Sequence, residues 1–65
     1  MLTLKVGTAI VSKKGERGHA TGGGYACGLE GCRGWRIGTR WNDGRITFPC
    51  SKSMIEKPNG EWHLI

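Results

Sequence analysis

Residues 35–50, WRIGTRWNDGRITFPC, carry the strongest local pattern in the chain. Two runs rich in β-branched and aromatic residues flank Asp43 and Gly44. An Asp-Gly pair between two such runs is typical of a two-residue type I′ turn, because both central residues of that turn need a positive φ. The sequence therefore predicts an antiparallel β-hairpin with its turn at Asp43 and Gly44.

The register of this hairpin follows from its turn, and it can be tested against the pattern of apolar residues. The predicted pairs are Asn42 with Arg45, Trp41 with Ile46, Thr39 with Phe48, and Ile37 with Cys50. Alternate residues of a strand point to opposite faces, so one face is apolar and the other is polar. A slip by one residue would mix the two faces, which favours this register. The inward face would hold Trp35, Ile37, Trp41, Ile46, Phe48 and Cys50, and the outward face Arg36, Arg40, Arg45 and Thr47.

The rest of the chain also reads as strands and loops, since no segment has a sustained apolar stripe at helical spacing and glycines interrupt nearly every window. We expect an all-β fold and a single domain over residues 1–65. Before the hairpin we expect a strand at 2–12, a polar loop at 13–18, a strand at 19–26 bent at its three glycines, and a glycine-rich loop at 27–34. After it we expect a short helical turn at 51–54 and a closing strand at 61–65. Val6 and Ile10 of the first strand should lie in the core, and Trp62 and Leu64 of the last strand should face inward.

Composition limits the classes of function. Ten lysines and arginines against five acidic residues give a formal charge of +5, which favours a polyanion or an acidic protein surface as partner, although solubility alone also explains such a charge. No apolar stretch exceeds three residues, whereas a membrane span needs about 20. The N-terminus also lacks the features of a signal peptide. We expect a cytoplasmic protein without membrane association, whose three cysteines are not a disulfide framework.

The order of these elements resembles the SH3-like small barrel. Residues 5–11 (KVGTAIV) and 15–20 (GERGHA) resemble the opening of KOW and Tudor-type members, and residues 40–45 resemble their central hairpin. The resemblance implies a small five-stranded SH3-like barrel with a short helical turn before the last strand. It also implies a partner, because ribosomal and transcription-factor KOW members bind RNA or RNA polymerase. The aromatic cage of methyl-lysine-binding Tudor domains does not transfer, since only Tyr25 lies near a loop.

Three cysteines are candidate metal ligands. In such a barrel the loop that holds Cys27 and Cys32 lies at the same end as the turn that begins at Cys50, so we expect the three thiols to converge. A structural Zn²⁺ site takes four ligands, and the fourth would come from His63, His19, Glu30 or water. Alternatively, Cys50 is a small core residue and the other two are loop thiols.

Basic side chains form the second candidate site. Arginines spaced along a strand face can contact successive phosphates, so we expect a nucleic acid or a nucleoprotein complex as partner, RNA in particular. A solvated face that protects the sheet from edge pairing would have the same composition. The candidate binding residues are Arg33, Arg36, Arg40 and Arg45 of the hairpin region, with Lys13, Lys14 and Arg17 of the first loop.

Catalysis is not expected, because the chain shows no paired carboxylates and no nucleophile with a supporting base, and a domain this small has little room for a deep cleft. Two alternatives to nucleic-acid binding stay open. One is a protein-protein adaptor or inhibitor that uses its loops and an exposed strand edge. The other is an oligomer that binds a small ligand at subunit contacts.

Overall fold

A computed structural model describes residues 4–65 and shows an all-β chain built on one sheet. Residues 1–3, which include the start of the predicted first strand, lie outside the described part. The elements are β1 (Ala9–Val11), β2 (Arg17–Ala26), β3 (Trp35–Trp41), β4 (Ile46–Thr47), a 3-10 turn (Ser51–Ser53), β5 (Met54–Glu56) and β6 (Trp62–Leu64).

The sheet has the strand order β4-β3-β2-β1-β6-β5. Neighbouring strands are antiparallel except β1 and β6, which pair in parallel through Ile10 with Trp62 and Val11 with His63. The all-β prediction is confirmed. The predicted five-stranded barrel is not confirmed, because the described sheet contains six strands and is not closed: within residues 4–65 no pairing joins β4 to β5.

The first strand is shorter than predicted. Lys5 and Thr8 close a turn, in which the Thr8 N–H donates to the Lys5 carbonyl at 3.0 Å and Gly7 has a φ of +89°. Val6 stands on this turn and is 73% exposed, so its prediction as a core residue is wrong. Ile10 is fully buried, as predicted.

The second strand bends at its glycines, as the sequence indicated. Its register against β3 shifts between Ala20 and Gly24, which leaves extra residues on β2 in a bulge. Gly22 has a φ of +87° there, a conformation that favours glycine. Thr21 supports the bulge by donating from Oγ1 to the Gly38 carbonyl at 3.3 Å. On either side of the bulge, residues 18–20 and 24–26 of the ten-residue strand pair with β3.

The hairpin forms, but its predicted register is wrong by one residue. Thr39 pairs with Thr47 and Arg40 with Ile46. The loop therefore has three residues between Trp41 and Arg45, whose backbones bond at 2.9 Å. Gly44 alone in this loop has a positive φ, of +92°, whereas the type I′ turn would require one at the preceding aspartate too.

Asp43 is the reason for the longer loop. Its Oδ1 accepts the Arg45 backbone N–H at 3.0 Å, and its Oδ2 lies 2.6 Å from Arg45 Nε. These bonds stabilise a turn in which the aspartate keeps a negative φ and the glycine after it forms the bulge.

The slip moves two apolar side chains from the predicted core face to the solvent face. Ile46 is 56% exposed and Phe48 is 40% exposed, so both were wrongly predicted to face inward. Thr47 instead accepts a hydrogen bond from Trp41 Nε1 at 2.8 Å. A shift of one residue has this effect because the side-chain period of a strand is two.

The core is small and lies on the inner face of the sheet. Trp41 and Ile37 are buried as predicted, and Thr39 between them is fully buried, with its hydroxyl bonded to the Ile37 carbonyl at 3.1 Å. Trp62 and Leu64 are partly buried and pack against this core, in agreement with their predicted inward orientation. The core cluster consists of Ile10, Ala20, Ile37, Trp41 and Met54, with Leu4, Trp35, Trp62 and Leu64 packed against it.

The predicted helical turn is present as the 3-10 turn Ser51–Ser53, and the strand β5 that follows it was not predicted. Met54 is the buried residue of β5 and pairs with Leu64. The short strand carries too few residues for an alternation to stand out in the sequence. Among the described residues, no helix has the length and apolar character needed to cross a membrane.

Candidate metal centre and nucleic-acid interface

The three cysteines converge, as the sequence predicted. The sulfur atoms of Cys27, Cys32 and Cys50 all lie within 4.8 Å of one another. We call these three residues the cysteine group. Cys27 is buried, and the other two are partly buried. The group lies where the β2–β3 loop meets the start of the 3-10 turn, so it connects two segments that are far apart in the chain.

Backbone hydrogen bonds give the cysteine loop its shape. The Cys27 N–H donates to the Gly34 carbonyl at 3.0 Å and closes the base of the loop. Within the loop, the Cys32 N–H donates to the Leu29 carbonyl at 3.0 Å, and Gly31 has a φ of +76°. The result is a tight turn that brings the second cysteine back toward the first.

One thiol also receives a backbone hydrogen bond from the residue two positions further along the chain. The Gly34 N–H donates to Cys32 Sγ at 3.4 Å. Such bonds favour the thiolate, and outer-shell bonds of this kind orient the ligands of metal sites.

Contacts within the cysteine group shift the pKa values of Cys27 and Cys32. The hydrogen bond from the Leu29 backbone holds the pKa of Cys27 at about 7, below its ordinary value of 9.0. Burial opposes this effect, and contacts with the Cys32 and Cys50 thiols, and then with the Arg36 side chain, lower the pKa further. The Gly34 N–H lowers the pKa of Cys32, but contact with the other two thiols and burial outweigh it, so this pKa is raised. The pKa values of Cys27 and Cys32 are therefore shifted in opposite directions.

The spacing of the sulfur atoms fits a shared metal ion. Cys32 Sγ lies 3.6 Å from Cys50 Sγ. Two thiolates on one tetrahedral Zn²⁺, each at about 2.3 Å from the metal, lie about 3.8 Å apart. The sulfur atoms are therefore close to the positions that a zinc ion would require.

Gly34 leaves space for the sulfur atoms. A Cβ atom at this position would lie 2.5 Å from Cys50 Sγ and 3.3 Å from Cys32 Sγ. Any side chain here would therefore push at least one thiol away from the group. Gly34 also donates the hydrogen bond to Cys32, so one residue both packs against the group and orients it.

The structure does not bring the predicted fourth ligands to the cysteine group. His63 lies on β6, where its Nε2 is 3.1 Å from Glu61 Oε1. His19 lies on β2 and pairs with Ala9 and Arg40. Glu30 lies exposed in the cysteine loop. Within residues 4–65, the metal-ligating atoms that cluster at this place are the three sulfurs alone.

A second surface lies on the outer face of β2, β3 and β4. Arg36 and Arg40 are on the same side of β3 because they are four residues apart. Tyr25 pairs with Arg36, and Ile46 pairs with Arg40. Directly paired residues share a face. We call this surface the aromatic–arginine face, and its members are Tyr25, Arg36, Arg40, Ile46 and Phe48.

Two aromatic rings form the centre of this face. The ring centroids of Tyr25 and Phe48 are 5.5 Å apart with an angle of 45° between the ring planes. Tyr25 is 52% exposed, so both rings present part of their surface to solvent. Arg36 lies beside them and donates from Nη1 to the Phe48 carbonyl at 3.2 Å. The face therefore combines aromatic surface with positive charge.

The predicted basic residues divide into two groups. Arg45 Nη2 lies 2.7 Å from Glu16 Oε2, in addition to its contact with Asp43, and Arg17 Nη1 lies 3.0 Å from Glu61 Oε2. These two arginines are engaged with carboxylates. Among residues 4–65, no salt bridge involves the exposed residues Lys13, Lys14, Arg33 and Arg40.

The basic residues are also not on a single surface. Lys13 and Lys14 lie in the β1–β2 loop, where they line an open cavity of about 360 Å³ together with Leu64 and Ile65. Arg33 lies in the cysteine loop. Of the seven residues predicted to contact nucleic acid, the outer sheet face holds Arg36 and Arg40 together.

Sequence reasoning missed the two rings. The register with a two-residue turn predicts Phe48 in the core, and the sequence places Tyr25 near the end of the predicted second strand without linking it to the arginines. The three-residue loop would have placed Phe48 beside the arginines, and Asp43 followed by glycine fits that loop as well as the shorter one.

Comparison with known proteins adds no relative. No family model matches the chain. The searches of curated proteins and of solved structures likewise find no match.

Proposed function

We propose that this protein binds single-stranded nucleic acid, free or within a nucleoprotein complex, through the aromatic–arginine face. The observation that carries the proposal is the exposed pair of rings, Tyr25 and Phe48, between arginines on a sheet. Base stacking on aromatic side chains contributes about 1–3 kcal/mol per base, and single strands expose their bases for such stacking.

Charge supports the same proposal. Arg40 is exposed beside the rings and makes no salt bridge within residues 4–65, so its guanidinium is available to a phosphate. The whole chain carries a formal charge of +5, which favours approach of a polyanion. A relation to the RNA-binding KOW members of the SH3-like barrels would fit this function and stays a hypothesis.

We also infer that the cysteine group holds a structural Zn²⁺. Support comes from the sulfur spacing and from the backbone N–H of Gly34, which donates to Cys32 Sγ. The ion would join the β2–β3 loop to the chain at Cys50. The three thiolates fill three of its four positions, and the fourth belongs to water or to a ligand outside the group. A reducing compartment such as the cytoplasm keeps thiols available for this role.

The proposal is tested by titrating a fluorescein-labelled single-stranded oligonucleotide of mixed sequence with zinc-loaded protein and following fluorescence anisotropy. The variant Tyr25→Ala/Phe48→Ala should lose about 10-fold or more in affinity, because it removes both stacking surfaces. The matched control is Ile55→Ala, which removes an exposed apolar side chain from β5 at the other edge of the sheet. Equal affinities for the double variant and the wild type would refute the proposal.

The alternatives give different results in the same set of measurements. A protein-protein adaptor or inhibitor would retain a partner in pull-down after nuclease treatment and at high salt, whereas phosphate contacts weaken steeply with salt. An oligomer that binds a small ligand would show a concentration-dependent mass above the monomer, together with retained ligand, in native mass spectrometry.

A further inference from the structure

The cysteine group and the aromatic–arginine face share two segments of chain. Tyr25 precedes Cys27 by two residues, and Phe48 precedes Cys50 by two residues. The sulfur atoms of both cysteines belong to the cysteine group. A metal ion that joins these sulfurs therefore also joins the two segments that carry the rings. The pair of rings is the feature that the proposed nucleic-acid binding needs.

Arg36 is a second link between the two sites. Its backbone forms an antiparallel bridge with Cys50, and its Nη1 donates to the Phe48 carbonyl. The segment that carries Phe48 is thus held to β3 next to the thiol of Cys50. A displacement of Cys50 would move the Phe48 backbone and change the position of the Arg36 guanidinium.

The protein itself holds these segments with few interactions. Strand β4 has only two residues, Ile46–Thr47. Beyond it the Arg36 bridge joins the chain to β3 and includes a hydrogen bond from the Ile37 N–H to the Pro49 carbonyl at 2.9 Å. The bond from Arg36 to the Phe48 carbonyl and one from the Trp35 N–H to Ser51 Oγ at 3.0 Å add to it. Most residues of the loop that bears Cys32 are exposed. Segments with few buried contacts open at low cost in free energy. Metal–thiolate bonds would add a constraint where the fold supplies little.

We propose that Zn²⁺ in the cysteine group controls nucleic-acid binding, because the metal holds Tyr25 and Phe48 together on the aromatic–arginine face. This inference rests on the proposed function, since it concerns the same nucleic-acid surface. Zinc and the oligonucleotide then bind with positive cooperativity. Thermodynamic linkage requires that each ligand raise the affinity for the other by the same factor.

The test consists of four titrations on the full chain. Oligonucleotide affinity is measured by anisotropy with the zinc-loaded and the zinc-free protein under reducing conditions. Zinc affinity is measured by competition with a chromophoric chelator, with and without saturating oligonucleotide. We expect zinc to tighten oligonucleotide binding about 10-fold or more, within the ordinary range of allosteric coupling, and the oligonucleotide to tighten zinc binding by an equal factor.

The variant Tyr25→Ala tests whether the coupling between zinc and oligonucleotide acts through the rings. It removes one of the rings that the metal orders, so zinc should still bind. The ratio of oligonucleotide affinities with and without zinc should then fall toward one. Ile55→Ala should keep the coupling of the wild type, because β5 is at the far edge of the sheet. Equal coupling in Tyr25→Ala and in the wild type would contradict the inference.

The titrations distinguish a failure of the proposed function from a failure of the control by metal. If the zinc-loaded protein does not bind the oligonucleotide, the proposed function is wrong. If it binds equally well with and without zinc, the control by metal is wrong and the proposed function stands. If zinc does not bind, the metal site and the inference both fail.

Amide spectra test whether the metal acts locally. The zinc-free protein should keep the dispersed signals of Ile10, Ile37 and Trp41, while signals near Tyr25 and Phe48 change. A complete loss of dispersion would contradict an effect of zinc that is confined to the rings.

Discussion

Arg36 and Cys50 face each other across the edge of the sheet, where their backbones form an isolated antiparallel bridge beyond the end of β4. The bridge joins an arginine of the outer sheet face to a member of the cysteine group. Two sites that the sequence suggested separately are therefore adjacent in the structure, and this pair of residues is one of the places where they meet.

The first prediction concerns the packing of Gly34 against the thiols. Gly34→Ala should lower zinc affinity by about 10- to 100-fold, the usual effect of disturbing the outer shell of a metal site, because its Cβ would lie 2.5 Å from Cys50 Sγ. Gly28→Ala in the same loop is the control, since its Cβ would meet no atom within 4 Å. Chelator competition measures both affinities. Equal affinities for the two variants would show that the metal does not use this group.

The second prediction separates two arginines of the same hairpin. Arg40→Gln should weaken oligonucleotide binding and reduce the slope of log affinity against log salt, because an available guanidinium is lost. Arg45→Gln makes the same charge change, but this guanidinium is already engaged with Asp43 and Glu16, so the effect should be much smaller. Anisotropy titrations at several salt concentrations measure both slopes. A larger effect for Arg45→Gln would contradict the assignment of the face.

The third prediction tests the register of the hairpin. Ile37→Val should lower the free energy of unfolding by about 0.5–1.5 kcal/mol, because Ile37 is buried. Ile46→Val should change it by less than about 0.5 kcal/mol, because Ile46 is 56% exposed. Urea denaturation measures both values. The register with a two-residue turn would bury both side chains, and it would be supported if the two substitutions cost the same.

The fourth prediction concerns pH. Hydrogen bonds from Arg17 first, and then from His63 and Asn59, lower the pKa of Glu61 from 4.5 to about 2. A carboxylate whose pKa is lowered in the folded state stabilises the fold above its unfolded pKa, and this stabilisation is lost as the pH falls toward 2. Glu61→Gln should therefore flatten the dependence of the unfolding free energy on pH between about 4.5 and 2.

Glu56→Gln is the control for this measurement, because Glu56 makes no salt bridge within residues 4–65 and lies exposed on β5. It should leave most of the pH dependence intact. If both variants showed the same slope in urea denaturation across this range, the Arg17–Glu61 pair would not contribute to acid sensitivity.

The all-β class and the hairpin could be predicted because the alternation of apolar and polar residues and the glycines at turns are local signals in the sequence. The convergence of the cysteines could also be predicted, although the register was wrong, because a shift of one residue moves Cys50 by only about 3.3 Å along the strand. The cysteine group depends on where the segments lie, whereas the aromatic–arginine face depends on which side of the sheet each residue occupies. A register error of one residue therefore leaves the cysteines close together, but it moves residues of the aromatic–arginine face to the other side of the sheet.

The rest depended on interactions that the sequence does not display. Asp43 selects the three-residue loop through its bonds to Arg45, and this choice exposes Phe48. Gly7 turns the chain early and leaves Val6 in solvent. Strand β5 is short and, within residues 4–65, pairs with β6 alone, a contact between segments that carry no strong pattern of their own.

Mapping the bound strand on the protein is the most direct test of nucleic-acid binding by the aromatic–arginine face. Backbone amide shifts of the zinc-loaded, ¹⁵N-labelled protein would be followed while a single-stranded oligonucleotide is added. The largest shifts should fall on β2, β3 and β4, around Tyr25, Arg40 and Phe48. Shifts confined to β5 and β6, or no shifts at saturating oligonucleotide, would contradict the proposed function.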